Sequence, residues 1–120
     1  LSVHEGPQGI APARGFGVAL EPGMITSIEP GFYKQNEYGL RVENAALVIK
    51  DAAKSTQDTG FYAFETLTLC PIDLKLVDKR LLAAEEVQWL NSYHQKVRRL
   101  LTPRLKQAEA SWLKKAARPI

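Results

Sequence analysis

Residues 24–49 read MITSIEPGFYKQNEYGLRVENAALVI. Within this stretch Met24 to Glu29 and Leu40 to Ile49 alternate as short apolar-rich runs, and the turn-forming residues Pro30, Gly31, Asn36 and Gly39 lie between them. Alternating runs flanking turn residues predict a β-hairpin. If the hairpin is symmetric about Asn36, the numbers of facing residues sum to 72, and Glu29 stands opposite Glu43. Facing side chains lie about 4.5–5.5 Å apart at Cβ, where like charges destabilise the pair. A cation between them removes that penalty, and hard divalent ions take carboxylate oxygens. A one-residue slip, or a bulge at Pro30-Gly31, would turn one glutamate to the opposite face. Spacing alone therefore leaves a metal pair and two independent carboxylates both open.

The residues flanking the glutamates carry more information. Val3-His4-Glu5-Gly6-Pro7, then Pro22 to Tyr33 around Ser27-Ile28-Glu29-Pro30-Gly31, then Tyr38-Gly39-Leu40-Arg41-Val42-Glu43-Asn44, resemble in order and spacing the last part of the catalytic domain of Xaa-Pro aminopeptidases (aminopeptidase P). These are metallopeptidases with the pita-bread (creatinase/aminopeptidase) fold. The resemblance implies that Glu29 is a terminal ligand of one of two divalent metal ions, manganese in the family, and contacts the attacking water. It implies that Glu43 bridges both ions, that His4 contacts substrate and assists proton transfer, and that Arg41 holds the carboxylates in orientation, a kind of support metal sites generally need. Outside the motif, His4 would read as an ordinary surface or packing residue. Arg41 would read as a strand residue paired with Glu43 or Glu37.

The implied reaction asks for such residues. A peptide bond to proline is a tertiary amide, so its nitrogen must be protonated to leave and its carbonyl must be polarised. Two ions about 3.5–4 Å apart can polarise the carbonyl and generate hydroxide near neutral pH. A histidine titrating near pH 6.5 suits the proton transfer.

The family also uses two aspartates and a Gly-His-Gly histidine upstream of the stretch matching Val3-His4. Asp51, Asp58, Asp73 and Asp78 match none of these in order or context, and the chain begins at Leu1 without an initiator methionine. The expectation is a C-terminal piece of a longer enzyme, inactive in isolation, since divalent ions want more donors than two carboxylates supply.

Composition is consistent with a single modest globular piece: 120 residues, 45% hydrophobic, with one cysteine. No apolar run approaches the roughly 20 residues of a membrane span, and the residues from Leu1 onward lack the charged and apolar regions of a signal peptide; a longer parent would carry any such signal upstream of them. Cys70, in Thr66-Leu67-Thr68-Leu69-Cys70-Pro71, has no partner for an internal disulfide and reads as a buried thiol in a reducing, cytoplasmic setting. Residues 1–70 carry five basic and eight acidic side chains and residues 71–120 eleven and five, so the positive charge of a chain that is +3 overall lies in its tail. Lys96, Arg98, Arg99, Arg104 and Lys106 interleave with a helical apolar stripe and lack an aromatic stacking platform. This reads as a solvated helix face, with neither nucleic acid nor membrane as partner.

That stripe, Val87, Leu90, His94, Val97 and Leu101, predicts a helix from about Ala84 to Leu101, with His94 structural. Thr102-Pro103 reads as the cap and first position of a second helix carrying Leu105, Ala108 and Trp112 inward. Ala83 stands where a capping Ser or Thr is expected, at a cost of about 1 kcal/mol. The polar stretch Lys50 to Gly60 reads as a surface loop. Phe64 to Ile72, Trp89 to His94, Trp112-Leu113 and Pro119-Ile120 resemble the C-terminal extension of the longer aminopeptidases P, which implies a homodimer.

The expected architecture is α+β: residues 1–72 the C-terminal part of a pita-bread catalytic domain, an antiparallel β segment, and residues 73–120 a helical extension. The expected activity is removal of the N-terminal residue from Xaa-Pro peptides. The alternatives are a non-catalytic peptidase-fold module that binds peptides or proteins, and a helical dimerisation module.

Overall fold

The computed structural model of the chain describes residues 6–11 and 17–120. Two compact units divide it, Leu1–Thr68 and Leu69–Ile120.

In the first unit the strands are β1 (Ile25–Ile28), β2 (Gly31–Lys34), β3 (Tyr38–Arg41), β4 (Asn44–Lys50) and β5 (Tyr62–Thr66). A three-stranded antiparallel sheet has the order β1-β4-β5, and β2 pairs with β3. The segment between the two alternating runs is thus not merely a turn. It is a second hairpin that prolongs the first. Ile25 faces Leu47 and Ile28 faces Asn44 in one ladder, Gly31 faces Arg41 and Lys34 faces Tyr38 in the other, and in every pair the numbers sum to 72. No residue is inserted between the ladders on either side, so there is no bulge at Pro30-Gly31.

The ladder breaks at Pro30 for a covalent reason. The Val42 N–H donates to the Pro30 carbonyl at 3.2 Å, but proline has no N–H to return the bond. At the tip, Asn36 adopts φ 60° and the Glu37 N–H donates to the Lys34 carbonyl at 3.1 Å. Asparagine tolerates this left-handed conformation better than most residues. On β4, Asn44, Ala46 and Val48 are buried and alternate with half-buried Ala45, Leu47 and Ile49, the two-residue period of a strand covered chiefly on one face. The loop before β5 is exposed for most of its length, and Asp51 organises its start by accepting from the Ala53 and Lys54 N–H groups.

The second unit is helical. Two 3-10 turns, Leu74–Leu76 and Lys79–Leu81, each start on an aspartate whose carboxylate accepts a backbone N–H two residues on. Helix α1 spans Ala84–Leu101, the predicted bounds. Ala83 is its N-cap and supplies no side-chain acceptor, while the Glu86 carboxylate accepts the Ala83 N–H at 2.8 Å. Only that half of a capping box is present. Helix α2 starts later than Thr102-Pro103 predicts. Thr102–Arg104 form a 3-10 turn, Leu105 is extended, and α2 spans Gln107–Ala116 with Glu109 accepting the Lys106 N–H at 2.8 Å. This shift in phase changes the inner face. Leu113 and Ala117 are buried, with Leu105 packed beside them, whereas Ala108 and Trp112 face outward and Trp112 is 62% exposed.

The core of this unit is Tyr93, Val97, Leu113 and Ala117, edged by Leu69, Ile72, Leu101 and Leu105. His94 is fully buried and structural, as its place on the stripe predicts. Its Nε2 accepts the Ile72 N–H at 3.1 Å and its Nδ1 lies 3.4 Å from the Arg118 carbonyl. The pattern fits a neutral ring protonated on Nδ1. Burial lowers its pKa below 6.5, and nearby Arg98 adds to the effect. The Tyr93 hydroxyl donates to the Cys70 carbonyl at 2.8 Å and accepts the Cys70 N–H at 3.4 Å. This pins the Cys70 backbone inward and leaves its side chain outward. The thiol is exposed, contrary to the apolar context of its neighbours. The Asn91 side chain holds both backbone groups of Ile120, at 2.9 and 3.4 Å. No described helix is long and apolar enough to cross a membrane.

Candidate metal-ligand pair

Glu29 and Glu43 lie in the short interval between the two ladders, and the common register sets them opposite each other. The hydrogen bonds fix the type of pairing. The Val42 N–H to Pro30 carbonyl and Val48 N–H to Met24 carbonyl bonds make the even-numbered pairs the hydrogen-bonded ones. The Glu29–Glu43 position is then a non-hydrogen-bonded pair, where backbones approach to about 4.5 Å at Cα and side chains are closest.

Odd-numbered residues share one face of this ribbon, and they form a continuous polar chain. The Ser27 hydroxyl donates to Glu29 Oε1 at 2.7 Å, Arg41 Nη1 donates to Glu29 Oε2 at 2.6 Å, and Arg41 Nε donates to the Tyr33 hydroxyl at 2.8 Å. The guanidinium carbon also stands 5.7 Å from the centre of the Tyr33 ring, within cation–π range. Two glycines make room for that ring. A Cβ on Gly31 would sit 2.7 Å from the Tyr33 hydroxyl oxygen, and one on Gly39 would sit 2.7 Å from its Cδ1.

Arg41 therefore pairs with Glu29 and not with Glu43 or Glu37; Lys34 takes Glu37 at 2.7 Å. Its proton is held more tightly than in free arginine, first through the Tyr33 hydrogen bond and also through the charges of Glu29 and Glu43. The arginine is a fixed cation beside two carboxylates and offsets part of their repulsion. At 44% side-chain exposure for Arg41 and 23% for Glu29, solvent screens the ion pair and it adds little stability. Its effect is to orient the carboxylate. Glu43 is exposed.

His4 lies outside the described residues. Among the described residues no group of three His, Cys, Asp or Glu side chains converges as a metal site. The donors present are two carboxylates, which suit a hard divalent ion in kind but are too few for its coordination shell. Ser27 and Tyr33 are the members of this face that motif reading passes over. Their parity was the available signal, since both are odd-numbered like Glu29, Arg41 and Glu43.

Two facing carboxylates with an arginine across an antiparallel ribbon are the geometry of this candidate site, and sequence profiles place the chain that carries it in a family. Residues 1–50 match metallopeptidase family M24, and residues 60–120 match the C-terminal region of peptidase_M24. The chain belongs to metallopeptidase family M24. Among curated relatives it is 41% identical over 125 residues to aminopeptidase P1 of Arabidopsis thaliana, covering 100% of this chain and 19% of that protein. It is 39% identical over 124 residues to Xaa-Pro aminopeptidase 2 of Sus scrofa, covering 100% of this chain and 18% of that one. Among solved structures, X-prolyl aminopeptidase from Caenorhabditis elegans, described as a cytosolic enzyme with a di-nuclear active site, matches with a TM-score of 0.83 at 41% identity, covering all of this chain and 20% of that one. The chain spans about a fifth of the length of the curated relatives it matches. The fold is the C-terminal part of the pita-bread fold, an antiparallel β segment followed by helices.

Proposed function

We propose that this chain is the C-terminal part of a dinuclear-metal aminopeptidase that removes the N-terminal residue from peptides whose second residue is proline. The observation that carries the reading is the common register, which sets Glu29 opposite Glu43 within a chain of family M24. In this reading Glu29 and Glu43 would be the residues of this chain that hold the metal ions. When bound, the ions supply the Lewis acidity that polarises the scissile carbonyl and activates water. Arg41 keeps the Glu29 carboxylate turned to its task, and His4 passes a proton toward the proline nitrogen. Manganese is the ion we assign from the family resemblance, and carboxylate donors are compatible with it. A cytosolic homodimer completes the reading. The C. elegans relative's description supports the compartment, and the exposed rings of Trp89 and Trp112 support the dimer.

The test uses the full-length enzyme that carries this chain. Release of the N-terminal residue from an Xaa-Pro-Xaa tripeptide is measured before chelation, after chelation and after manganese is restored, beside Glu43→Gln. We expect chelation to abolish activity, manganese to restore it, and Glu43→Gln to lower kcat by two orders of magnitude or more, about 3 kcal/mol of barrier. Activity indifferent to both chelation and Glu43→Gln would sink the enzyme reading and favour a binding module on a peptidase fold.

A further inference from the structure

We infer that Ser27 is a positioning residue for Glu29, holding one oxygen of that carboxylate so that it presents a fixed edge to the metal ion. The inference rests on the reading of Glu29 as a ligand. Glu29 itself belongs to neither ladder; it stands between β1, which ends at Ile28, and β2, which begins at Gly31. Its backbone is therefore less restrained than that of a residue inside a strand. Its carboxylate is clamped from both sides, by Ser27 on β1 at Oε1 and by Arg41 on β3 at Oε2.

The two clamps differ in stiffness. Arg41 reaches across the ribbon on a long side chain that is 44% exposed. Ser27 is half-buried, two residues before Glu29 on the same face, and has a single side-chain torsion. Its strand is fixed by pairing with Ala45, whose own N–H donates to Thr68 Oγ1 at 2.8 Å. A hydroxyl donating to an ionised carboxylate at 2.7 Å is a charge-assisted bond. The carboxylate has lone pairs enough to accept both clamps and still face an ion.

The experiment titrates manganese into the metal-stripped full-length enzyme by calorimetry and records the visible spectrum of the cobalt form. Wild type is compared with Ser27→Ala, Ser27→Thr and Glu29→Gln. Partners behind metal ligands typically govern 10- to 100-fold in metal affinity, so Ser27→Ala is expected to weaken the ion held by Glu29 by about that factor and to alter the cobalt spectrum. Ser27→Thr, which keeps the hydroxyl and suits a strand, is expected to restore both. Should Ser27→Ala fail to fold, Ser27→Val, which matches Ser27→Thr in shape but lacks the hydroxyl, gives the same readout. Wild-type affinity and spectrum in Ser27→Ala or Ser27→Val, with an ion lost in Glu29→Gln, would overturn the role of Ser27 alone. Wild-type metal binding in Glu29→Gln would overturn the ligand reading, and this inference with it.

Discussion

His94 offers the sharpest test of the helical unit, because one buried ring joins the loop at Ile72 to the chain end at Arg118. Replacing it with alanine removes the acceptor of the Ile72 N–H, which costs about 1–3 kcal/mol when such a group is left unsatisfied. It also empties a site that is 0% exposed, adding about 2 kcal/mol at the low end for buried large-to-small changes. Arg118 is exposed, so water can take its carbonyl. The sum is about 3–5 kcal/mol. His94→Gln keeps an acceptor within reach of Ile72 and should cost about 1–2 kcal/mol, from imperfect shape. The same ring sets a pH dependence. Its folded pKa lies below the unfolded 6.5, so between the two values the unfolded chain binds more protons. Stability from this source is complete above pH 6.5 and is lost as pH falls below it. Urea unfolding of the chain, followed by helical circular dichroism at about pH 7.5 and about pH 5.5, separates this from carboxylates, which titrate nearer 4. Wild type should weaken at the lower pH and His94→Gln should not. Equal costs for the alanine and glutamine variants, or a wild type indifferent to pH in this window, would refute a neutral accepting ring.

Two further changes probe the same unit. Tyr93→Phe removes the hydroxyl that serves both backbone groups of Cys70. It should cost about 1–2 kcal/mol in urea unfolding while leaving the parallel stack of Trp89 on residue 93, at 5.4 Å, in place. Ala83→Ser supplies the missing cap acceptor to α1 and should raise stability by about 1 kcal/mol, read as a higher unfolding midpoint at unchanged slope.

Much of this structure was legible in the sequence, and the failures have physical causes. The limits of α1 follow from periodicity, which long regular elements obey, whereas the sum of 72 rests on taking Asn36 as the centre of the hairpin, a choice the structure bears out. Pro30 reads as a turn residue in the sequence, although in the structure it only withholds one donor from a ladder that continues beyond it. Thr102-Pro103 points to too early a start for α2 because it suits the first turn of any helix, 3-10 included. Once that turn closed at Leu105, the phase of every later residue moved, and Leu113 replaced Trp112 on the inner face. The exposure of Cys70 was invisible because a tyrosine 23 residues away decides it. The partner of Arg41 was open between neighbours in sequence until the ribbon's faces were known, and only then did Ser27 and Tyr33 join the glutamates.

The common register also determines where this region tolerates a change of length. Glu29 and Glu43 meet because equal numbers of residues climb and descend the ribbon between them. One residue added to either arm alone would carry one carboxylate past the other and onto the reverse face. Residues added at the tip, around left-handed and exposed Asn36, leave both arms equal. The hairpin can therefore lengthen only at its end: a graft or an evolutionary insertion at residues 35–37 keeps the glutamates paired, whereas the smallest uncompensated deletion in either arm parts them.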